Sequence, residues 1–485
     1  MSLEIYNTQT KKKEPFVTLE PNKVKMYVCG PTVYDFLHVG NFRGAIFFNA
    51  VRNWLEKSGY EVNYVYNYTD VDDKIINRAN ELGEDPQALA ERYIDEFQKD
   101  YARLHLRPHT SNPRVTEYMQ NIIDFISSLK EKGHAYVVDS DVYYDVSTFS
   151  DYGKLSNKNV EDLASGVRIS ADERKKNPAD FALWKSAKPG EPAWSSPWGK
   201  GRPGWHIECS AMSRALLGDS LDIHGGGIDL VFPHHENEIA QSEGCTGHPY
   251  VKYWMHNNML EFGNQKMSKS LGNIRTGRSF LEEYNGEILK YMMLSVHYRS
   301  LIDFSEEQIH QAVAQLARIY SALAFAENLM QTEAPLAPVP EEFERLLSEA
   351  EEGVEKAMND DFNTPELMAR LFEVTRAFNS FCRKPGKIRP EQKAVAEAYF
   401  HWLRDKSKVL ALFQEPPAAY LQILDDMLLR QKGLSRSEVD QLVADRSEAR
   451  LQKDFKKSDE IRDQLVEMGI NVQDGVDGSR WEVAK

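Results

Sequence analysis

The fold is decided by one short stretch, residues 24–41, which reads VKMYVCGPTVYDFLHVGN. Its first part is apolar and predicts a buried β-strand, which the Gly30-Pro31 turn ends. From about Gly40 apolar residues recur at helical spacing, and a second strand is predicted over residues 61–68. A strand, a helix and a strand in this order predict a parallel α/β unit of the nucleotide-binding type.

Length and composition predict a soluble protein of several domains. The 485 residues exceed one compact core, so about two to four domains are expected. No stretch approaches the roughly 20 apolar residues of a membrane-spanning helix, and residues 1–20 do not form a secretory signal. The four cysteines are too scattered for a disulfide framework and favour a reducing, cytoplasmic setting; they are Cys29, Cys209, Cys245 and Cys382.

The middle of the chain departs from the α/β pattern and then returns to it. Helices are predicted over residues 86–104 and 113–132, followed by a hairpin over 135–146. Residues 177–204 hold many Pro, Gly and Trp residues and predict an irregular insertion. Strand candidates at 221–223 and 250–255 restore the α/β pattern.

The C-terminal part of the chain is predicted to be helical from about Phe304, with linkers near residues 334–340 and Pro416. Beyond these, the sequence predicts a basic helix over 449–468 and a hairpin over 470–483. The net charge of −15 argues against a polybasic nucleic-acid binder, but RNA binding needs only a local basic track.

Two motifs far apart in sequence have the chemistry of a triphosphate site. His38 and Gly40 lie at a predicted helix N-terminus, where free N–H groups and the helix dipole favour phosphate. Residues 266–270, KMSKS, form a predicted mobile loop whose lysines suit charge developing on phosphates. Alone, the first is usually a plain turn and the second a solvated loop. Together, in this order on this scaffold, they indicate a nucleotide site.

These motifs resemble the HIGH and KMSKS signatures of class I aminoacyl-tRNA synthetases. KMSKS is present letter for letter, whereas HIGH reads HVGN over residues 38–41. Asn41 leaves one fewer imidazole near the phosphates, so His38 is expected to carry more of that contact. Four further stretches narrow the resemblance to the cysteinyl-tRNA synthetase family: CGPT at 29–32, YTDVDDK at 68–74, GWHIECS at 204–210 and DIHGGGIDLVFPHHENE at 222–238.

The resemblance covers essentially the whole chain and implies its domain organisation. Residues 1–303 are expected to form a Rossmann-like parallel-sheet α/β catalytic domain, with an insertion at about 115–203 and a stem-contact region at about 250–303. An α-helical bundle over 304–430 and a small α+β anticodon-binding module over 431–485 are expected to follow. A monomer is the family expectation.

Four residues form a candidate metal site. His234 and Glu238 are four apart and share one helix face, while Cys29 ends a strand and Cys209 follows the insertion. Two thiolates, an imidazole and a carboxylate suit Zn²⁺. The residues alone leave alternatives open, because buried cysteines are common, His235 competes with His234, and a glutamate such as Glu238 is often a plain surface charge. The resemblance selects His234 and implies one Zn²⁺, which prefers a substrate thiolate to the hydroxyl of serine.

The resemblance also implies roles for the remaining motif residues. Gly30, Thr69 and Trp205 are expected to line the cysteine pocket beside Cys29, and His206 and His224 to line the reaction centre. Residues expected to face Mg-ATP are His38, Gly40, Asn41 and Asp229, with Lys269 contacting the phosphates and Lys266 supporting it.

The implied reaction has two steps: cysteine and ATP form cysteinyl-adenylate, and the 3′-terminal adenosine of tRNA(Cys) then accepts the cysteine. One rival is a related ligase that transfers cysteine to an amino-sugar and lacks the C-terminal anticodon-binding part. The other is a catalytically inactive RNA-binding paralogue. Intact His38, Lys266, Lys269 and the four metal candidates argue against the second rival. The C-terminal segment argues against the first; its basic residues are Arg446, Arg450, Lys453, Lys456, Lys457 and Arg462.

Lys269→Ala is expected to slow adenylate formation far more than it weakens cysteine binding, because its charge is needed when phosphate charge develops. Pre-steady-state activation kinetics and cysteine binding measure the two effects separately. An unchanged activation rate in this variant would remove Lys269 from the mechanism.

Overall fold

The computed structural model describes residues 2–158, 174–262, 265–266, 275–335, 337–383, 387–475 and 478–485, with the backbone alone at 262 and 265–266. The predicted KMSKS residues 267–270 therefore lie outside the described residues. The chain forms two compact units. The first comprises Met1–Leu281, Met293–Asp303 and Gly353–Leu367; the second comprises Glu282–Met292, Phe304–Glu352 and Met368–Lys485.

The described strands concentrate in the first 303 residues and return only at the C-terminus. In chain order they are β1 Glu4–Asn7, β2 Lys12–Pro15, β3 Lys23–Val28, β4 Glu61–Tyr66, β5 Ala135–Val138, β6 Asp141–Tyr144, β7 Phe181–Ser186, β8 Trp194–Ser196, β9 Gly199–Pro203, β10 Leu221–Gly227, β11 Val251–Asn257, β12 Leu260–Phe262, β13 Gln265–Lys266, β14 Ile302–Asp303, β15 Ile470–Gly475 and β16 Gly478–Val483.

Helices alternate with the early strands and then dominate. In chain order the described helices are α1 Asn41–Lys57, α2 Asp73–Leu82, α3 Pro86–Ala102, α4 Met119–Glu131, α5 Trp205–Leu217, α6 Glu236–Thr246, α7 Gly277–Glu283, α8 Gly286–Leu294, α9 Glu306–Met330, α10 Glu341–Asn359, α11 Thr364–Cys382, α12 Pro390–Leu410, α13 Pro417–Gln431, α14 Arg436–Leu451 and α15 Phe455–Glu467. Among these described helices, none combines the length and apolar character that a bilayer crossing requires.

A four-stranded sheet organises the first unit, and it confirms the predicted α/β class. Its strand order is β11-β10-β3-β4, and every neighbouring pair is parallel. Strand β3 lies inside the sheet, between β10 and β4. Its apolar side chains are buried on both faces, as in parallel sheets covered by helices. The carboxyl ends of β3, β10 and β11 therefore lie along one edge, where α/β folds bind ligands.

The prediction that residues 177–204 are irregular was wrong. Strands β7, β9 and β8 lie in this stretch and complete an antiparallel sheet of order β5-β6-β7-β9-β8. The glycines that indicated irregularity permit close packing instead. A Cβ on Gly201 would lie 2.4 Å from Nε1 of Trp184, whose side chain is fully buried. Strand pairing and a buried tryptophan outweigh the local turn propensity here.

The second unit contains the long helices α9, α12 and α13, in accord with the predicted helical character. Tyr320 on α9 is buried and stacks on Tyr420 of α13, with ring centroids 4.0 Å apart. Its hydroxyl donates to Oε2 of Glu287 at 3.0 Å. A second stacked pair, Phe378 and Tyr399, has centroids 4.2 Å apart. Aromatic packing therefore anchors the core of this helical unit.

The prediction of one basic helix over residues 449–468 was also wrong. Helix α14 ends at Leu451, Lys453 adopts a left-handed conformation with φ 61°, and α15 begins at Phe455. The side chain of Asp454 caps α15 by accepting from the backbone N–H of Lys457 at 3.1 Å. The basic periodicity continues across this break, so sequence pattern alone could not locate it. Ser435 and Glu438 form a capping box at the start of α14.

We predict that Gly204→Ala lowers the free energy of unfolding by about 2–3 kcal/mol, because its Cβ would lie 1.9 Å from the carbonyl oxygen of Ala182. Gly44→Ala is the control; its Cβ would be 3.1 Å from Oδ1 of Asn257, and alanine favours helix α1. Thermal unfolding followed by circular dichroism compares the variants. Equal melting temperatures would contradict the close approach at Gly204.

Candidate functional site

Four predicted metal ligands lie together where β3 meets two helices. Cys29 follows β3, Cys209 lies on α5, and His234 and Glu238 flank the start of α6. The Sγ atoms of Cys29 and Cys209 are 3.7 Å apart, and Cys29 Sγ is 3.6 Å from Oε1 of Glu238. His234 Nε2 lies 3.0 Å from the same Oε1. All four ligand atoms lie within 4.8 Å of one another.

These separations fit a tetrahedral zinc site. Metal–ligand bonds of about 2.0–2.3 Å place tetrahedral donor atoms roughly 3.3–3.8 Å apart. The two sulfur separations, 3.7 and 3.6 Å, fall in this range. The imidazole–carboxylate distance of 3.0 Å is slightly shorter, as expected of two groups that also share a hydrogen bond. Two thiols, one imidazole and one carboxylate therefore fit the implied Zn²⁺ in both donor type and spacing.

A second group of four residues overlaps the first. Cys29, His224, His235 and Glu238 also have ligand atoms within 4.8 Å of one another. His235 Nε2 lies 3.3 Å from Cys29 Sγ, and His224 Nε2 lies 2.8 Å from Oε2 of Glu238. This group offers one sulfur instead of two, so it suits a soft metal less well. The ambiguity between His234 and His235 in the sequence therefore has a real geometric basis.

Burial and close partners shift the pKa values of the cluster strongly. Burial tends to raise the pKa of Glu238, but His224 and His234 hold that pKa well below its usual range. A hydrogen bond from the Cys29 thiol lowers the pKa of Cys209 to about 6. Burial would lower the pKa of His234, yet Glu238 and Cys209 raise it to about 10. The His234 imidazole thus compensates the buried carboxylate, while burial raises the pKa of the Cys29 thiol well above its usual range.

Buried neighbours fix the orientation of Glu238 and of helix α5. The Tyr250 hydroxyl donates to Oε2 of Glu238 at 3.2 Å, beside the contact from His224. Gln241 Nε2 donates to the carbonyl oxygen of His206 and to Ser210 Oγ, both at 2.8 Å. Such contacts behind metal ligands set their geometry. His224 is fully buried behind Glu238, whereas His206 stands beside His234, with their Nδ1 atoms 3.0 Å apart.

The residues assigned to the cysteine pocket surround this cluster. Trp205 stacks on His234 with ring centroids 4.3 Å apart. The backbone N–H of Gly30 donates to Oδ1 of Asn67 at 2.9 Å. A Cβ on Gly30 would lie 1.7 Å from the carbonyl oxygen of Asn67, so only glycine fits there. Thr69 Oγ1 lies 3.5 Å from Nδ2 of Asn67, so one side chain links Thr69 to Gly30.

Two residues of this site were missed by sequence reasoning. Asn67 contacts Gly30, Thr69 and the Cys209 thiol through one carboxamide. Glu208 is buried and accepts from Thr69 Oγ1 at 3.3 Å, and burial raises the pKa of its carboxyl well above the usual range. The sequence held a signal for both residues, because Asn67 directly precedes the stretch 68–74 and Glu208 directly precedes the metal candidate Cys209.

The predicted phosphate residues lie at the start of α1. The backbone N–H of His38 donates to Oδ1 of Asn41 at 3.1 Å, so the asparagine fixes the turn that carries the histidine. The chain from residue 275 onward pairs with this turn: Val39 N–H donates to the Arg275 carbonyl at 3.0 Å, and Gly277 N–H to the Leu37 carbonyl at 2.7 Å. Asn41 thus gains a structural role that the motif comparison alone did not show.

The remaining predicted site residues fall in different places. Gly40 precedes α1 as its N-cap residue. Asp229 follows β10 and is exposed. The backbone of Lys266 belongs to β13, paired with Glu261 of β12. Lys269 lies outside the described residues, so its assignment stays a prediction.

The fold and the site define a class of protein. Residues 15–314 match the family model described as tRNA synthetases class I (C) catalytic domain. A solved structure of Mycobacterium tuberculosis methionyl-tRNA synthetase in complex with methionyl-adenylate is similar, with a TM-score of 0.62 and 14% identity, covering 86% of this chain and 95% of that chain. The architecture is therefore that of a class I aminoacyl-tRNA synthetase.

Further matches identify the family within this class. Residues 353–414 match the DALR domain, and residues 435–481 match the cysteinyl-tRNA ligase anticodon binding domain. The cysteine--tRNA ligase of Bdellovibrio bacteriovorus is 57% identical over 483 residues, and that of Pelobacter propionicus 48% over 492, each covering 100% of both chains. The chain belongs to the cysteine--tRNA ligase family.

We predict that His234→Asn loses bound zinc, whereas His235→Asn retains it, because only the group containing His234 offers two sulfur ligands. Mass spectrometry of metal content after passage over a chelating resin measures the difference. Cys382→Ser, which changes a buried cysteine outside both groups, serves as the control for a substitution remote from the site. Zinc loss in His235→Asn with retention in His234→Asn would assign the metal to the second group.

Proposed function

We propose that this protein is a zinc-dependent cysteine--tRNA ligase that activates L-cysteine with ATP and transfers it to the 3′-terminal adenosine of tRNA(Cys). The observation that carries the proposal is the group of two thiols, one imidazole and one carboxylate, with Trp205 stacked on His234 and Gly30 next to Cys29 in the chain. A cytoplasmic monomer is proposed. The proposed domains are 1–303 for catalysis, 304–430 for a helical bundle and 431–485 for anticodon binding.

Substrate selection is proposed to rest on the thiol of cysteine. A Zn²⁺ ion held by Cys29, Cys209, His234 and Glu238 favours a thiolate over a hydroxyl and so separates cysteine from serine. Trp205 packs against His234, and Asn67 holds Gly30 through one side chain. These contacts keep the pocket rigid. An apolar pocket of equal rigidity would separate cysteine from serine less well than a pocket with a metal contact.

Adenylate formation is proposed to depend on positioning and charge. His38 and the N-terminus of α1 hold the ATP phosphates, with Gly40 allowing close approach and Mg²⁺ bound with the nucleotide. Asn41 supports this arrangement by fixing the His38 backbone. Lys266 and Lys269 are proposed to neutralise charge on the departing pyrophosphate, and Asp229 to contact the adenosine or the substrate amine.

The half-buried His206 and the buried His224 are proposed to support the site. His206 lies beside His234, and burial holds the pKa of His206 well below its usual value, so its imidazole is neutral. A neutral imidazole at this position orients neighbouring groups without adding charge. His224 is proposed to act through Glu238, whose Oε2 it contacts at 2.8 Å. Their effects on the reaction centre are therefore proposed to pass through the metal ligands.

The rival of an amino-sugar ligase is disfavoured by the C-terminal part of the chain. Such ligases lack an anticodon-binding part, whereas residues 435–481 here match that domain. Part of its basic charge is used internally, since Arg446 Nη1 lies 2.7 Å from Oδ1 of Asp474 and Arg450 contacts the same carboxylate. An RNA contact is therefore proposed to depend more on the lysines Lys453, Lys456 and Lys457.

The test is attachment of labelled cysteine to a tRNA transcript with a GCA anticodon. We expect charging with cysteine and a preference over serine above about 10⁴-fold, as expected where a polar or metal contact is specific to one substrate. Cysteine-dependent pyrophosphate exchange without charging would favour the amino-sugar ligase. Neither activity in zinc-replete protein would favour the inactive paralogue.

A further inference from the structure

The turn that carries His38 is paired with a segment far from it in sequence, residues 275–277, which lead into helix α7. Two backbone hydrogen bonds of 3.0 and 2.7 Å, one on each side of His38, join the turn to this segment. His38 also forms a β-bridge with Thr276 between these two bonds. The backbone position of His38 therefore depends on where residues 275–277 lie.

The same segment packs closely against the start of α1 and, through it, against α3. A Cβ on Gly277 would lie 2.3 Å from Cε2 of Phe42, whose side chain is fully buried in α1. Phe42 in turn stacks on Phe97 of α3, with ring centroids 5.9 Å apart. Residues 275–277, the start of α1 and helix α3 thus meet around one aromatic ring, and only glycine permits the approach.

Arg278, the next residue of α7, forms ion pairs with two carboxylates of α3. Its Nε donates to Oδ1 of Asp100 at 2.5 Å, and its Nη2 donates to Oε2 of Glu96 at 2.6 Å. The Arg278 side chain is 25% exposed and that of Asp100 is 3% exposed. Such a forked, partly buried contact is stronger than an exposed ion pair. Arg103 at the end of α3 also donates to the carbonyl oxygen of Leu281, so α3 and α7 are joined twice.

The guanidinium of Arg278 also contacts the turn that carries His38. Its Cζ atom lies 5.1 Å from the ring centroid of Phe36, two residues before His38. Phe36 meets Tyr93 of α3 edge to face, with ring centroids 5.5 Å apart. The ring of Phe36 is therefore held between an arginine of α7 and a tyrosine of α3, which gives this partly exposed phenylalanine a structural use.

Arg92 forms contacts of the same two kinds without joining these segments. Its Cζ atom lies 5.1 Å from the ring centroid of Tyr93, and its Nη1 lies 2.9 Å from Oε2 of Glu84. Both of these partners lie on or beside α3 itself. Arg92 therefore supplies a matched control for the loss of one arginine, one ion pair and one aromatic contact.

We propose that Arg278 is a positioning residue for His38: its guanidinium ties the turn that carries His38 to helix α3. The inference rests on the proposed function, since it names a residue that supports the phosphate contact assigned to His38. Arg278 acts through the backbone of the turn and through Phe36. Its removal therefore displaces His38 and slows adenylate formation, while the metal candidates and the cysteine pocket keep their geometry.

The first test compares Arg278→Ala with the control Arg92→Ala in cysteine-dependent pyrophosphate exchange. We expect kcat to fall about 10- to 100-fold in Arg278→Ala, because a small misplacement of a positioned group is costly. The KM for cysteine and the zinc content should stay unchanged, and Arg92→Ala should match the unsubstituted protein. A loss of cysteine affinity or zinc as large as the loss of kcat would indicate general damage and overturn the proposal.

The second test uses the conservative variant Arg278→Lys. Lysine keeps the charge beside Asp100 but lacks the planar fork that contacts two carboxylates, so we expect a kcat between those of Arg278→Ala and the unsubstituted protein. Because Asp100 stays compensated, this variant and Glu96→Gln carry the test if Arg278→Ala does not fold. Full exchange rates in both variants would overturn the proposal.

The third test asks whether Arg278 acts through His38. In a double-mutant cycle, Arg278→Ala should slow the His38→Asn variant little further, because both changes remove the same phosphate contact. Fold-losses that multiply would show that Arg278 acts on the reaction by another route, and the positioning role would fall.

Failure of this inference and failure of the proposed function give different results. If the unsubstituted protein catalyses the exchange and Arg278→Ala behaves like Arg92→Ala, the function stands and the positioning role falls. If the unsubstituted protein catalyses no exchange, the function falls first. Binding of a non-hydrolysable ATP analogue then decides the role of Arg278, which requires weaker binding in Arg278→Ala than in Arg92→Ala.

Discussion

The candidate site depends on one constraint, which is that the carboxylate of Glu238 is buried completely and must be compensated there. A buried carboxylate is costly unless hydrogen bonds and opposite charge surround it. His224 and Tyr250 contact one of its oxygens, while His234 and Cys29 approach the other. Each of these groups comes from a different element. Satisfying one carboxylate therefore brings together β3, β10, α6 and the segment before β11.

The antiparallel sheet of strands β5 to β9 supports the same site from a distance. Strand β9 ends at Pro203, and the following Gly204 lies against the backbone of Ala182 before α5 begins at Trp205. This close approach sets where α5 starts, and α5 carries Trp205, His206, Glu208 and Cys209. The antiparallel sheet thus supports the candidate site and is not an appendage to the parallel sheet.

Much of this arrangement could be predicted from sequence, and the errors have physical reasons. The strand at residues 24–28 and helix α1 have local apolar periodicity, so their prediction needed no tertiary information. Residues 177–204 form strands because Trp184 is buried and Gly201 admits it, which depends on contacts between strands. The break at Lys453 is set by backbone conformation and a cap at Asp454, neither of which alters the charge pattern. His235 remained a competitor because it truly lies 3.3 Å from Cys29.

Helix α6 connects the metal candidates to a loop on its opposite side. It is a single helix of 11 residues with Glu236 and Glu238 two positions apart, so their side chains leave it on nearly opposite sides. Glu238 belongs to the metal cluster, and Glu236 holds the loop over residues 153–156. Because both side chains belong to one short helix, the position of the metal candidates is coupled to the position of the loop over residues 153–156. A shift of α6 that moved Glu238 would also move Glu236 and the loop backbone that it holds.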